Sequence, residues 1–254
     1  MTNPVDGIRE VWRAAASGEA PRRGLSLGRI VEAAVEIADA YGLAAVSMAH
    51  VAEQLGFTTM SLYRHVGSKE ELVLHMQDAA MGWPDDVLDP GAADGWRDGL
   101  ERWARAATAG LRAHPWIMQA IPMFGLPATP NQLAWLDRGL GTMADLPLHE
   151  GEKLMIMLLV DSHVLGDMLF RAADSPSTTL AVEPQRYGAL LAELLDPERY
   201  PSLARVIDAG VFDGAGEEGA EEATAEADPD YDFRLARVLD GIERFVEDRL
   251  AGSR

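Results

Sequence analysis

Cysteine is absent from this 254-residue chain. No disulfide framework, thiolate metal site or cysteine nucleophile is therefore available to it. A secretion leader is not expected either, because Met1 to Arg23 is polar, carries Asp6 and Glu10 and has no apolar run of that kind. Long apolar runs are missing: the longest, Leu154–Val160, is cut by Asp161, far short of the roughly 20 residues of a membrane helix. These absences predict a cytoplasmic protein with no membrane partner. Strand-like alternation and internal repeats are lacking, so the predicted fold class is all-α. Base is scarce, with 22 Lys and Arg against 41 Asp and Glu and a net charge of −19. That opposes the basic footprint usual in a DNA binder. The acid is unevenly placed, however: no basic residue falls between Arg205 and Arg234, while ten carboxylates from Asp208 to Asp232 do.

What is present is helical periodicity with its punctuation. Leu27, Ile30, Val31, Ala34, Ala38 and Tyr41 share the spacing of one helix face, which Gly42 ends. Ser47 caps a second helix through Leu55, closed by Gly56, and a short third fits Thr59–Val66. Ser68 and Glu71 form a capping box before Leu72, Val73 and Met76. A looser stretch, Asp85–Gly95, reads as a linker. Trp96 to Leu111 marks a further amphipathic helix, and Thr129, Pro130 and Gln132 make a well-formed helix start. Glu150–Arg171 is apolar almost all round, and a stripe runs from Leu235 to Leu250. The expected organisation is a flexible arm over 1–24, a three-helix helix-turn-helix domain over 25–82 and a larger helical domain over 83–254. An acidic loop is expected over 213–230.

Ser47–Val66 carries the function. Two short helices joined by a tight turn expose the second to the DNA major groove. Gly56 supplies the unusual backbone angles of the turn, and Ala52 the small residue for a close crossing. Val51, Leu55, Phe57 and Leu62 are spaced to anchor both helices. Thr58, Thr59, Met60, Ser61, Arg64 and His65 then remain outward, with hydroxyls and a guanidinium for base edges or phosphates and a thioether for a thymine methyl.

Tyr41-Gly42, the run Val46-Ser47-Met48-Ala49-His50-Val51-Ala52, then Leu62-Tyr63-Arg64-His65-Val66 and Ser68-Lys69-Glu70-Glu71-Leu72 together resemble the TetR family of repressors. The remainder is similar, more loosely, to the tetracycline-repressor type of C-terminal domain. The resemblance implies a homodimer that binds double-stranded, palindromic operator DNA and is released by a small-molecule effector. It also implies that Thr59, Met60 and Ser61 read bases, while Tyr63, His65 and Lys69 hold phosphates. Tyr63 packing on the first helix is an equal reading, and both hold together. Tetracycline repressors place a base-reading Arg where this chain has Ala49.

In the larger domain the candidate ligand contacts are Trp103, His114, Trp116, Met118, Met123, Phe124, Trp135, Met157, His163 and Asp167, large adaptable groups with a few polar anchors. Asp161, His163 and Asp167 interrupt an apolar helix, so they face either a pocket or a dimer interface. The tetracycline repressors hold their chelated metal with a His absent from Ile121–Pro127. No metal or other cofactor is expected, and the effector is expected to be largely hydrophobic. The Glu150–Arg171 helix and the final stripe suit a four-helix dimer interface. Rival readings are an enzyme or a helical interaction protein with vestigial DNA binding. Against the enzyme, there is no phosphate loop or nucleophile elbow, and Asp161-Ser162-His163 is adjacency, not a triad.

Overall fold

The computed structural model describes residues 4–17, 24–86, 88, 93–124, 128–173, 184–212 and 228–252, in which every regular element is helical. In order these are α1 (Pro4–Ser17), α2 (Leu27–Tyr41), α3 (Met48–Leu55), α4 (Thr59–Leu62), α5 (Lys69–Met81), α6 (Gly95–Ala113) and α7 (Ile117–Phe124). They continue as α8 (Pro130–Gly141), α9 (Glu150–Ala173), α10 (Pro184–Leu194), α11 (Pro201–Asp208) and α12 (Pro229–Gly252). Among the described residues no helix is long and apolar enough to cross a membrane. The chain divides into two compact units: Met1–Met168 with Leu235–Arg254, and Leu169–Arg234.

Local chemistry sets the helix ends of the first unit. The Ser26, Ser47 and Ser68 hydroxyls accept from the backbone N–H three residues on, those of Arg29, His50 and Glu71. Each satisfies a donor that a helix start leaves orphaned. Glu71 completes no box with Ser68; its carboxylate accepts instead from the N–H of Gly67 at 3.3 Å. Gly56 adopts φ 72°, ψ 30°, the left-handed geometry that the turn after α3 requires. Segment 4–17, expected as part of a flexible arm, is helical. Its Val11 is buried, Gly7 lies against Leu74 of α5, and the Trp12 indole donates to the Ala128 carbonyl at 2.8 Å.

Helix α5 is the axis of this unit. All of Leu72–Gln77 is buried, because α1, α2, α6, α7 and α8 pack around it. The two ends of α5 and α8 serve one another. Asp78, near the C-terminus of α5, accepts from the first free N–H of α8, that of Asn131, at 2.8 Å, while the Asn131 amide donates to the Asp78 carbonyl. In return the Trp135 indole of α8 donates to the carbonyls of Met81 and Gly82, both at 3.1 Å. These carbonyls lie where a helix runs out of its own donors.

The second unit is a small hairpin of α10 and α11, neither foreseen in the sequence. Tyr187 meets Phe212 edge-on at 5.5 Å. Gly188 lets them close, since a Cβ there would stand 2.5 Å from the Phe212 Cβ. The expected acidic loop over 213–230 lies outside the described residues up to 227, while Pro229 and Asp230 already belong to α12.

Burial raises the Asp78 carboxyl above its ordinary value, and the hydrogen bond from the Asn131 N–H only partly offsets this. A raised folded pKa means that the folded state binds the proton more tightly. The site then favours folding below the unfolded pKa, and loses that contribution as pH rises through the folded one. Asp78→Asn keeps an acceptor without a charge. Thermal melts should place it level with or above the wild type at pH 7, with the gap closing as acid protonates Asp78. Asp78→Ala should cost about 1 kcal/mol at either pH.

Candidate nucleic-acid interface and effector-domain residues

The recognition element is held from beneath and open above. Val51, Ala52, Leu62 and Val66 are fully buried, as their spacing requires. Helix α4 is shorter than expected, ending at Leu62, and the chain continues as a turn in which His65 and Val66 both donate to the Leu62 carbonyl. Met60 is 71% exposed and Tyr63 48%, while Arg64, His65 and Lys69 are exposed and Thr59 and Ser61 half-buried. Phe57, read as an apolar anchor, is 39% exposed, and Tyr41, placed on the apolar face of the first helix, is 72% exposed. Tyr41 stacks at a tilt on the His50 ring at 6.3 Å, whose Nδ1 lies 3.1 Å from the Ala45 carbonyl. His50 is thus held on its own helix-turn-helix, and Ala49 beside it is exposed.

Thr58 is exposed, but its hydroxyl is not idle. It accepts from the Ser61 N–H at 3.3 Å and lies 2.9 Å from the Ser61 hydroxyl, so it starts α4 as its cap. Two of the expected DNA-contacting hydroxyls are therefore paired with each other. The α5 N-terminus is likewise less open to phosphate than Lys69 suggested. Glu70 and Glu71 occupy its first turn. The Glu70 carboxyl sits below its ordinary value through backbone and Ser68 hydrogen bonds, as expected of an anion at a helix start.

Residues 30–76 match the family of bacterial regulatory proteins, tetR family, and residues 89–246 match the tetracyclin repressor-like C-terminal domain. The chain belongs to the TetR family. HTH-type transcriptional repressor DrrR1 of Streptomyces coeruleorubidus is 35% identical over 249 residues, covering 92% of this chain and 84% of its own. An HTH-type transcriptional regulator of Saccharopolyspora erythraea is 28% identical over 187 residues, or 71% of this chain and 74% of its own. The fold is shared with ActR, a TetR family protein of Streptomyces coelicolor solved in complex with (S)-DNPA. That likeness has a TM-score of 0.67 at 22% identity over 89% of this chain and 99% of ActR. TetR-family proteins are DNA-binding transcriptional regulators, not enzymes, which removes the enzyme reading.

Most residues expected to meet the effector of a TetR regulator have other partners. Trp103 is buried, donates its indole N–H to the Trp135 carbonyl at 2.8 Å and meets the Trp135 ring edge-on at 6.1 Å. Met157 is fully buried against Gly139 of α8. The Trp116 indole donates to Asp39 of α2 at 2.7 Å, and His114 Nδ1 lies 2.8 Å from the same Asp39 oxygen. That joins the α6–α7 turn to the helix-turn-helix. Asp167, buried, pairs with Arg112 at 3.0 Å, so its charge is compensated within the fold. Indoles bury with their N–H paired, and here the pairing is to backbone and carboxylate. Met118 and His163 remain half-buried, while the side chains of Met123 and Phe124 lie outside the described residues. Asp39, Asp78 and Arg112 escaped sequence reasoning because their partners lie more than 50 residues away.

Loss of the cap tests the recognition element. Thr58→Ala should cost about 1 kcal/mol and lower the melting temperature by about 2–4 °C, read by circular dichroism. Thr58→Ser should restore the wild-type melt.

Proposed function

We propose that this TetR-family protein represses transcription as a homodimer on a palindromic operator and is released by a small, largely hydrophobic effector. The observation that carries the DNA reading is the outward presentation of Met60, Tyr63, Arg64, His65 and Lys69 above buried Leu62 and Val66. Met60, with Thr59 and Ser61, reads base edges. Tyr63, His65 and Lys69 take backbone phosphates, with Arg64 available to either. Thr58 acts on the operator indirectly, by fixing the start of α4.

The dimer reading rests on α9 and α12. Met155, Leu158 and Leu159 of α9 and Phe245 of α12 are exposed, and a shallow apolar groove of about 560 Å³ runs between Met155, Ile156, Leu159 and Phe245. Apolar surface of this kind belongs against another apolar surface. Two recognition helices are then spaced for successive major grooves. The effector acts by shifting the population away from the DNA-competent spacing. A small-molecule effector is supported by ActR, which shares the fold and was also solved in complex with actinorhodin. Met118, Met123, Phe124 and His163 stay candidate contacts for it.

Genomic fragments selected by the protein supply the operator for the test. By fluorescence anisotropy, Met60→Ala should change the ranking of operator variants. Lys69→Ala should weaken all of them alike and reduce the salt slope by about 1. Unchanged ranking and slope in both variants would remove the assignment. A monomeric mass in light scattering at micromolar protein would remove the dimer.

A further inference from the structure

A groove of about 840 Å³ opens between α1, α2 and α5, with His114 at the end of α6 also on its lining. Its volume is that of a site for a drug-sized molecule. Val11, Ala14, Val31 and Val35 give it apolar walls, and five carboxylates line it: Glu10, Glu32, Glu36, Glu71 and Asp78. Only two guanidinium groups, Arg13 and Arg64, stand against them.

The second observation is His75. It lines the groove, is only 7% exposed and makes no side-chain hydrogen bond among the described residues. Its ring nitrogens are not among the fully buried unpartnered polar atoms, so they open on the groove, where a bound donor can reach them. Burial pushes the His75 ring below its ordinary value, with Glu10 opposing, so the ring is neutral and keeps an acceptor nitrogen. Burial likewise raises the Glu71 carboxyl, and Glu10 adds to the effect by repulsion. Glu10 shares one oxygen with Arg13 and Glu71 gives one to Gly67, leaving each an acceptor oxygen.

We infer that this groove is a second small-molecule site that takes a protonated amine carried on an apolar skeleton. The amine supplies an N–H to His75 and a positive charge to Glu71, and adds to the Arg13 charge already beside Glu10, while the skeleton covers the valine and alanine walls. An anion meets repulsion from the carboxylates, and a neutral apolar molecule brings Glu71 no charge partner. Arg64 and His65 also line the groove, so its occupant sits beside residues that face DNA in the proposed complex.

The probe is dansylcadaverine, an aromatic skeleton bearing one primary amine, titrated by fluorescence into the full chain without DNA. The control is its N-acetylated, neutral form. Saturable binding of the amine is expected, weakened about tenfold or more by acetylation and several-fold by Glu10→Gln. Gly28 lines the groove and a Cβ there meets nothing within 4 Å, so Gly28→Phe fills the site from its wall. That variant should melt like the wild type and bind the amine about tenfold or more weakly. Equal affinity for amine and amide, undiminished binding by Gly28→Phe, or no saturable binding overturns the inference. Because no DNA is present, none of these outcomes depends on the operator assignment.

Discussion

Two helix ends that finish one another are the constraint on which the first unit depends. The carbonyls at the end of α5 and the N–H groups at the start of α8 each lack an intrahelical partner, and both sets lie in partly buried surroundings. Asp78 and Trp135 resolve the two deficits together, one from each helix. Neither helix can withdraw without leaving polar groups unpaired in its own end and in its neighbour's, which is more costly than losing one surface contact. Trp103 extends the arrangement by donating to the carbonyl of Trp135 itself, so α6 is tied to the same joint.

Much else follows from that joint. Leu62 and Val66 seat the recognition turn in the core, and Leu72–Gln77 of α5 are buried among their neighbours. A displacement of α6 or α8 therefore reaches the helix-turn-helix through packed and hydrogen-bonded groups. Asp39 gives a second connection, from α2 to His114 and Trp116 at the end of α6. The proposed effector needs to act only on the C-terminal ends of these two connections to change how the recognition turns are held apart. The negative charge that opposes DNA binding is partly local: Glu70 and Glu71 belong to the first turn of α5, beside Lys69, the proposed phosphate contact.

What the sequence revealed was local, and what it concealed was distant. Ser47 and Ser68, with Gly42 and Gly56, marked their helix ends because each acts on backbone within a few residues. The buried Val51, Ala52 and Leu62 followed from helical spacing alone. Periodicity cannot tell a core face from a solvent face, which is why Phe57 was read as an anchor and Tyr41 as part of an apolar face. It also passed over α7, whose span includes Pro122, and the short α10 and α11. The indoles of Trp103, Trp116 and Trp135 resembled pocket linings because aromatic side chains serve pockets and cores equally, and only the fold shows their N–H partners. Helix α1 was missed as a packed element since its docking surface, α5 and Ala128, is remote in sequence.

The most direct test of the joint is native-state hydrogen exchange on the full chain. Amides of Leu72–Met81 in α5 and of Asn131 and its successors in α8 should open together, with one common free energy and one common dependence on denaturant. Exchange at the start of α8 through a separate, lower-energy opening, while α5 stays protected, would contradict the account.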